Sequence, residues 1–107
     1  MNNRMRKSIR ALLDELREVI GDADEDAVQA AQRILEELAL ILEENQDILD
    51  NYPEGLQDSE RVQAQIEAQN VMEESLGNLS SYMEEGSDYD VEDALMEIDE
   101  FEEAVEY

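Results

Sequence analysis

Carboxylates are the only abundant reactive groups in this chain: 31 Asp plus Glu stand against 7 Lys plus Arg in 107 residues, with neither His nor Cys. Without those two residue types, no thiolate nucleophile, imidazole base, zinc centre or disulfide framework can be assembled. Carboxylates alone offer three chemistries: a paired acid and base for glycosidic bonds, oxygen ligands for a hard cation, or a fixed array of anions. Acid pairs can be drawn almost anywhere among so many carboxylates, and a small domain offers little cleft for a sugar, so an enzyme is not expected. For a cation, Asp22, Asp24 and Asp26 match the opening of an EF-hand loop, but Ala27 stands where that loop needs Gly and Arg33 where it needs a bidentate Glu. The Asp run reads better as helix capping, which leaves only weak, non-specific divalent binding to the acidic rows. Di-iron bundles need Glu-x-x-His pairs, which a His-free chain lacks. No cofactor and no dedicated metal site are expected, and the anion array remains.

The elements that hold this array are legible from periodicity, which is helical from end to end. A first helix over 4–20 gathers Met5, Ile9, Leu12, Leu13, Leu16, Val19 and Ile20 on one face, and Gly21 ends it. Asp22 or Asp24 is placed to cap a second helix over 25–51. There Val28, Leu35, Leu42 and Leu49 recur every seven residues, as do Ile34, Ile41 and Ile48. Ala31, Leu38, Asn45 and Tyr52 form a third row, so this apolar face is wide enough for two neighbours, in a bundle or in a homodimer with coiled-coil-like packing. Asn45 interrupts that row: a buried Asn there would fix register or partner number, whereas the simpler reading, and the one preferred, is a polar position at the helix margin. Asn51 to Gly55, with the only Pro, predicts a turn that sets up an antiparallel hairpin. A third helix over 58–85, capped by Asp58 or Ser59, carries the stripe Val62, Ile66, Gln69, Met72, Leu76, Leu79 and Met83. Gly77 raises the prospect of a kink, since Gly costs about 1 kcal/mol relative to Ala inside a helix. Gly86 closes that helix. Ser87 with Asp90, or Asp90 with Asp93, opens a last one over 89–106, with Val91, Ala94, Leu95, Ile98, Phe101 and Val105 inward. The expectation is all-α: one domain over 1–107, a bundle of about four amphipathic helices.

Charge is segregated along the chain. Through Arg17 five bases face two acids, a balance of +3, whereas the remainder holds 29 acids against Arg33 and Arg61 for −27, making −24 in all. From Glu84 to Tyr107 there are twelve acids and no base. Nine acids between residues 90 and 106 occupy roughly 25 Å of helix axis at about 1.5 Å per residue. That is of the order of one strand of B-DNA, with a phosphate per about 3.4 Å. Glu36, Glu43, Asp47, Asp50 and Glu54 fall on one exposed stripe, and Glu60, Glu67 and Glu74 recur every seven residues. Like charges about 6 Å apart repel by roughly 0.7 kcal/mol even at the dielectric of water. Glu100, Glu102, Glu103 and Glu106 also sit near a helix C-terminus, where the macrodipole favours cations. A local rule broken this consistently points to function.

Such a surplus repels phosphate, so neither direct nucleic-acid binding nor an anionic membrane is expected, and the natural partners are basic surfaces. The N-terminal stretch has no uninterrupted apolar core for a secretory signal, and the cysteine-free chain is placed in the cytoplasm. The aromatics Tyr52, Tyr82, Tyr89, Phe101 and Tyr107 read first as core edges or bundle ends, with Tyr89 and Tyr107 the best placed of them for an interface. In size, charge, helicity and the acid-dense segment Asp90 to Tyr107, the chain resembles the small acidic helical DNA-mimic inhibitors that phages direct against host restriction and CRISPR nucleases. That resemblance implies an inhibitor seated in the basic groove of a nucleic-acid-binding protein, such as a CRISPR effector or restriction enzyme. The residues expected to meet that partner are Glu36, Glu43, Asp47, Asp50, Asp90, Glu92, Asp93, Glu97, Asp99, Glu100, Glu102 and Glu103. The competing expectation is an acidic helical scaffold, adaptor or chaperone module that acts through oligomerisation.

Overall fold

The computed structural model describes residues 1–22, 25–84 and 89–106. They form α1 (Asn3–Asp22), α2 (Glu25–Asp50), the single turn α3 (Glu54–Gln57), α4 (Glu60–Glu84) and α5 (Val91–Val105), with no strand among the described residues. The four long helices close a bundle of 49 × 21 × 19 Å in which α1 packs on α2, α2 on α4, α4 on α5, and α5 back on α1. Hence α1 lies diagonally across from α4. Neighbours run antiparallel: Arg4 near the start of α1 meets Glu44 late in α2, and Arg6 donates from Nε to the Val105 carbonyl at the end of α5.

α1, α4 and α5 begin where a side chain takes an orphan amide. Asn2 Oδ1 accepts from Met5 N at 2.9 Å, Ser59 Oγ from Val62 N at 3.2 Å, and Asp90 Oδ1 from Glu92 N at 2.9 Å. The Asn2 cap starts α1 one residue before the expected boundary. Ser59, of the two candidates, caps α4. The proposed caps at Asp22 or Asp24, the stop at Gly86 and the Ser87 cap lie outside the described residues and side chains. Between Asn51 and Ser59 the turn is more structured than its residues alone suggest. Pro53, at φ −55° and ψ 143°, launches α3, and Leu56 N bonds back to Pro53 O at 2.8 Å. This carries Glu54 off the acidic stripe of α2.

Most of the inward faces predicted for α1 and α5 are buried, with Ile9, Leu13, Leu16, Ile20, Ala94, Ile98 and Phe101 fully so, whereas Leu12, Val19, Val91 and Leu95 are half-buried against the core. On α2, two heptad rows stay covered throughout, whereas the third passes from buried Ile34 to half-buried Ile41 and exposed Ile48. The Arg4–Glu44 contact explains the loss of cover, because α2 outruns the start of α1 there. The wide face of α2 is thus met by α1 and α4 of the same chain, and its packing does not require a second copy. α4 runs unbroken through Gly77. Buried Met72, Leu79 and Met83 on both sides of the glycine each contribute about 1.5–3 kcal/mol, which outweighs the glycine's cost. In α4, Ala68 and Ser75 are buried, whereas Ile66 and Leu76 of the expected stripe are only half-buried.

Asn45 is not marginal. It is 1% exposed, and its Nδ2 donates to Gln69 Oε1 at 2.7 Å. Gln69 Nε2 donates in turn to the Leu42 carbonyl at 2.9 Å and to Glu73 Oε1 at 3.0 Å. An unpaired buried amide costs about 1–3 kcal/mol, so these two residues hold α2 and α4 in one alignment. Asn45 Oδ1 is left buried without a hydrogen bond among the described residues. Tyr89 takes the first of its two readings, a core position: it is buried, with its hydroxyl donating to the Ile20 carbonyl at 3.2 Å. Tyr107 lies outside the described residues.

Candidate functional site

The bundle order converts segregation along the chain into segregation across it. α1 carries five of the seven bases, and three of them, Arg4, Arg6 and Arg17, reach sideways to the two helices that flank it. Arg17 bridges Asp99 and Glu102 of α5 as well as Asp14 of its own helix, Arg4 pairs with Glu44 at 3.0 Å, and Arg33 on α2 meets Glu15 at 3.7 Å. Burial works to lower the Arg17 pKa, yet the hydrogen bonds and charges of Glu102 and Asp99 outweigh it, and the guanidinium pKa is raised. Arg6, at the α5 C-terminus, supplies the cation that this helix end lacks in its own sequence.

The opposite side is different. Around α4 two surface grooves open, one toward α2 and one toward α5. In the α4–α5 groove, a hollow of about 300 Å³ has Ala64, Ala68, Val71 and Ala104 as its floor, and Glu67, Glu100 and Glu103 as its rims. The α2–α4 groove consists of two adjoining hollows that share Ala39 and Leu76. Leu35 and Leu42 deepen its floor, and Glu36, Glu43, Asp47, Glu73 and Glu84 line its edges. None of these rim carboxylates takes part in an ion pair among the described residues.

The twelve expected partner-binding residues therefore divide. Glu36, Glu43 and Asp47 share the α2–α4 groove, with Asp50 exposed one turn further and accepting from Gln46 Nε2 at 2.9 Å. Glu100 and Glu103 rim the α4–α5 groove. Asp99 and Glu102 face α1 and are engaged by Arg17, so the anion count along α5 overstates the free charge on that helix. Asp90 caps α5, while Glu92 and Asp93 lie exposed in its first turn, where their charge suits the dipole. Glu97 is half-buried, with Oε2 lacking a hydrogen-bond partner among the described residues. Periodicity alone missed Glu67 as a partner of Glu100 and Glu103, and also Glu73, Glu84 and the apolar floors. The seven-residue spacing of Glu60, Glu67 and Glu74 was the one available signal.

Large apolar side chains also stand among the acids. Leu40 is 66% and Met96 61% exposed, the first within one helical turn of Glu36, Glu37, Glu43 and Glu44, the second within one turn of Glu92, Asp93, Asp99 and Glu100. Among the described residues no group of three or more acids is placed to hold a metal ion, and no helix is long and apolar enough to cross a membrane. Neither protein-family models, nor curated proteins, nor solved structures match this chain, so its function is inferred from geometry and charge.

Proposed function

We propose that this chain is a nucleic-acid-mimicking inhibitor: it occupies the basic nucleic-acid-binding groove of a DNA- or RNA-handling protein, a host defence nuclease being the class in view. The observation that carries this reading is the division of charge across the bundle. Bases collect on α1 and cancel acids on the α1-facing flanks, while the rims around α4, diagonally opposite, keep carboxylates with no described counter-ion. A rigid helical scaffold holds these anions at spacings fixed before binding, so little ordering entropy is lost when a cationic cleft closes on them. Long-range attraction between opposite surfaces would also speed encounter.

The test is competition. Immobilised protein, exposed to a panel of basic nucleases and DNA-binding proteins, is expected to capture one whose duplex DNA binding it displaces. Capture should fade steeply as salt rises from about 0.05 M to about 1 M, where the screening length drops to about 3 Å. A captured protein that binds DNA and this chain together, or one held undiminished at molar salt, would contradict the proposal.

A further inference from the structure

Imitating a polynucleotide requires anions, but not the apolar floor between them. The α2–α4 groove has both, and its lining runs from Gln32 to Asp47 along α2, about 22 Å or four helical turns. Ala39 at its centre is exposed. On α4, Gly77 lies within one helical turn of the lining residues Glu73 and Ser80, and a β-carbon built on it meets nothing within 4 Å. The fold itself gives this glycine no packing role, although it costs helix stability. A low edge of Ala39 and Gly77 lets another backbone approach closely.

We infer that the α2–α4 groove takes a cationic amphipathic helix from the protein partner. Its apolar stripe lies over Ala39 and Leu76, and its Lys or Arg side chains reach the acids on both edges, as in other helix-in-groove complexes. Long basic side chains suit such an edge, because their aliphatic stems cover apolar surface while the charged heads meet carboxylates. A second copy of this chain is a poor occupant, since each copy would bring −24 and the same acids to the contact. The inference rests on the mimic reading and deepens it by giving the partner surface a secondary structure and a salt-resistant component.

The probe is a fluorescent peptide of about four turns, with leucines at i, i+3, i+4 and i+7 and lysines elsewhere. Its controls are a scrambled peptide of the same composition and one with Glu in place of Lys. The amphipathic peptide is expected to bind at one to one by anisotropy, and to bind at least about tenfold more tightly than either control. Ala39→Arg should weaken it by about tenfold or more, whereas Val71→Arg, the same charge change in the α4–α5 groove, should alter affinity less than about twofold. Gly77→Gln should weaken binding while leaving the thermal midpoint unchanged or higher, which separates a blocked groove from a damaged fold.

Equal binding of the scrambled peptide, or equal losses from Ala39→Arg and Val71→Arg, would overturn the inference. So would a homodimer of the free protein that Ala39→Arg dissolves. The two readings fail separately. Undiminished DNA-competitive capture of a nuclease by the Ala39→Arg variant would remove the groove and keep the mimic. Selective peptide binding by a chain that displaces DNA from no basic protein would remove the mimic and keep the groove.

Discussion

The two flanks of α5 are made of the same residue types at interleaved positions, yet one is largely neutralised and the other is left anionic. Asp99 and Glu102 turn toward α1, where Arg17 engages both. Glu100 and Glu103 turn toward α4 and join Glu67 around a groove floored by alanines and Val71. One residue of offset, about 100° of helix rotation, separates an internal ion pair from an open anionic rim. The lesson is that acid content does not measure the charge available to a partner. Helix order does, because it decides which carboxylates meet the few bases.

Three variants probe that contrast. Phe101→Ala acts on both flanks together. The ring is fully buried, and its loss should cost about 3–5 kcal/mol, a large share of the 5–15 kcal/mol typical of a whole domain. A urea midpoint shifted by much less would mean that α5 is not held by its core face. Arg17→Gln touches only the α1 flank and should cost about 1 kcal/mol, because Asp99 is largely exposed and such pairs are weak. The loss should shrink as salt is added, and a cost independent of salt would assign Arg17 a packing role instead. The triple change Glu67→Gln, Glu100→Gln and Glu103→Gln touches only the α4 flank. It should raise stability by a few tenths of a kcal/mol at low salt, since like charges one turn apart repel by about that much. Destabilisation would show that these acids are used to hold the fold.

Much of this fold could be read from residue spacing, because the heptad rows of α2 and the stripes of α1 and α5 are long, apolar and regular. Reading failed where a contact depends on which helices become neighbours. The pair Asn45 and Gln69 joins residues 24 positions apart, and periodicity sees each alone, so Asn45 looked marginal although Gln69 fell in the stripe. Ala68 and Ser75 are buried because α4 lies between α2 and α5 and meets both closely; a hydrophobicity pattern gives small residues little weight. The acidic rows were visible, but their division into neutralised and open sets was not. Arg17 meets Asp99 from 82 positions away, a separation at which sequence carries no pairing signal. The groove floors were hidden for the same reason: Ala39 and Leu76 share a surface only once α2 and α4 are side by side.

The seam between α1 and α5 has a kinetic consequence. Its bonds join residues 69 to 99 positions apart, from Tyr89–Ile20 to Arg6–Val105, whereas every other long-helix pair consists of successive hairpin partners. Closing the longest loop costs the most chain entropy, so folding is expected to zip the hairpins first and fasten this seam last. Substitutions at Tyr89 should then speed unfolding and leave the folding rate nearly untouched.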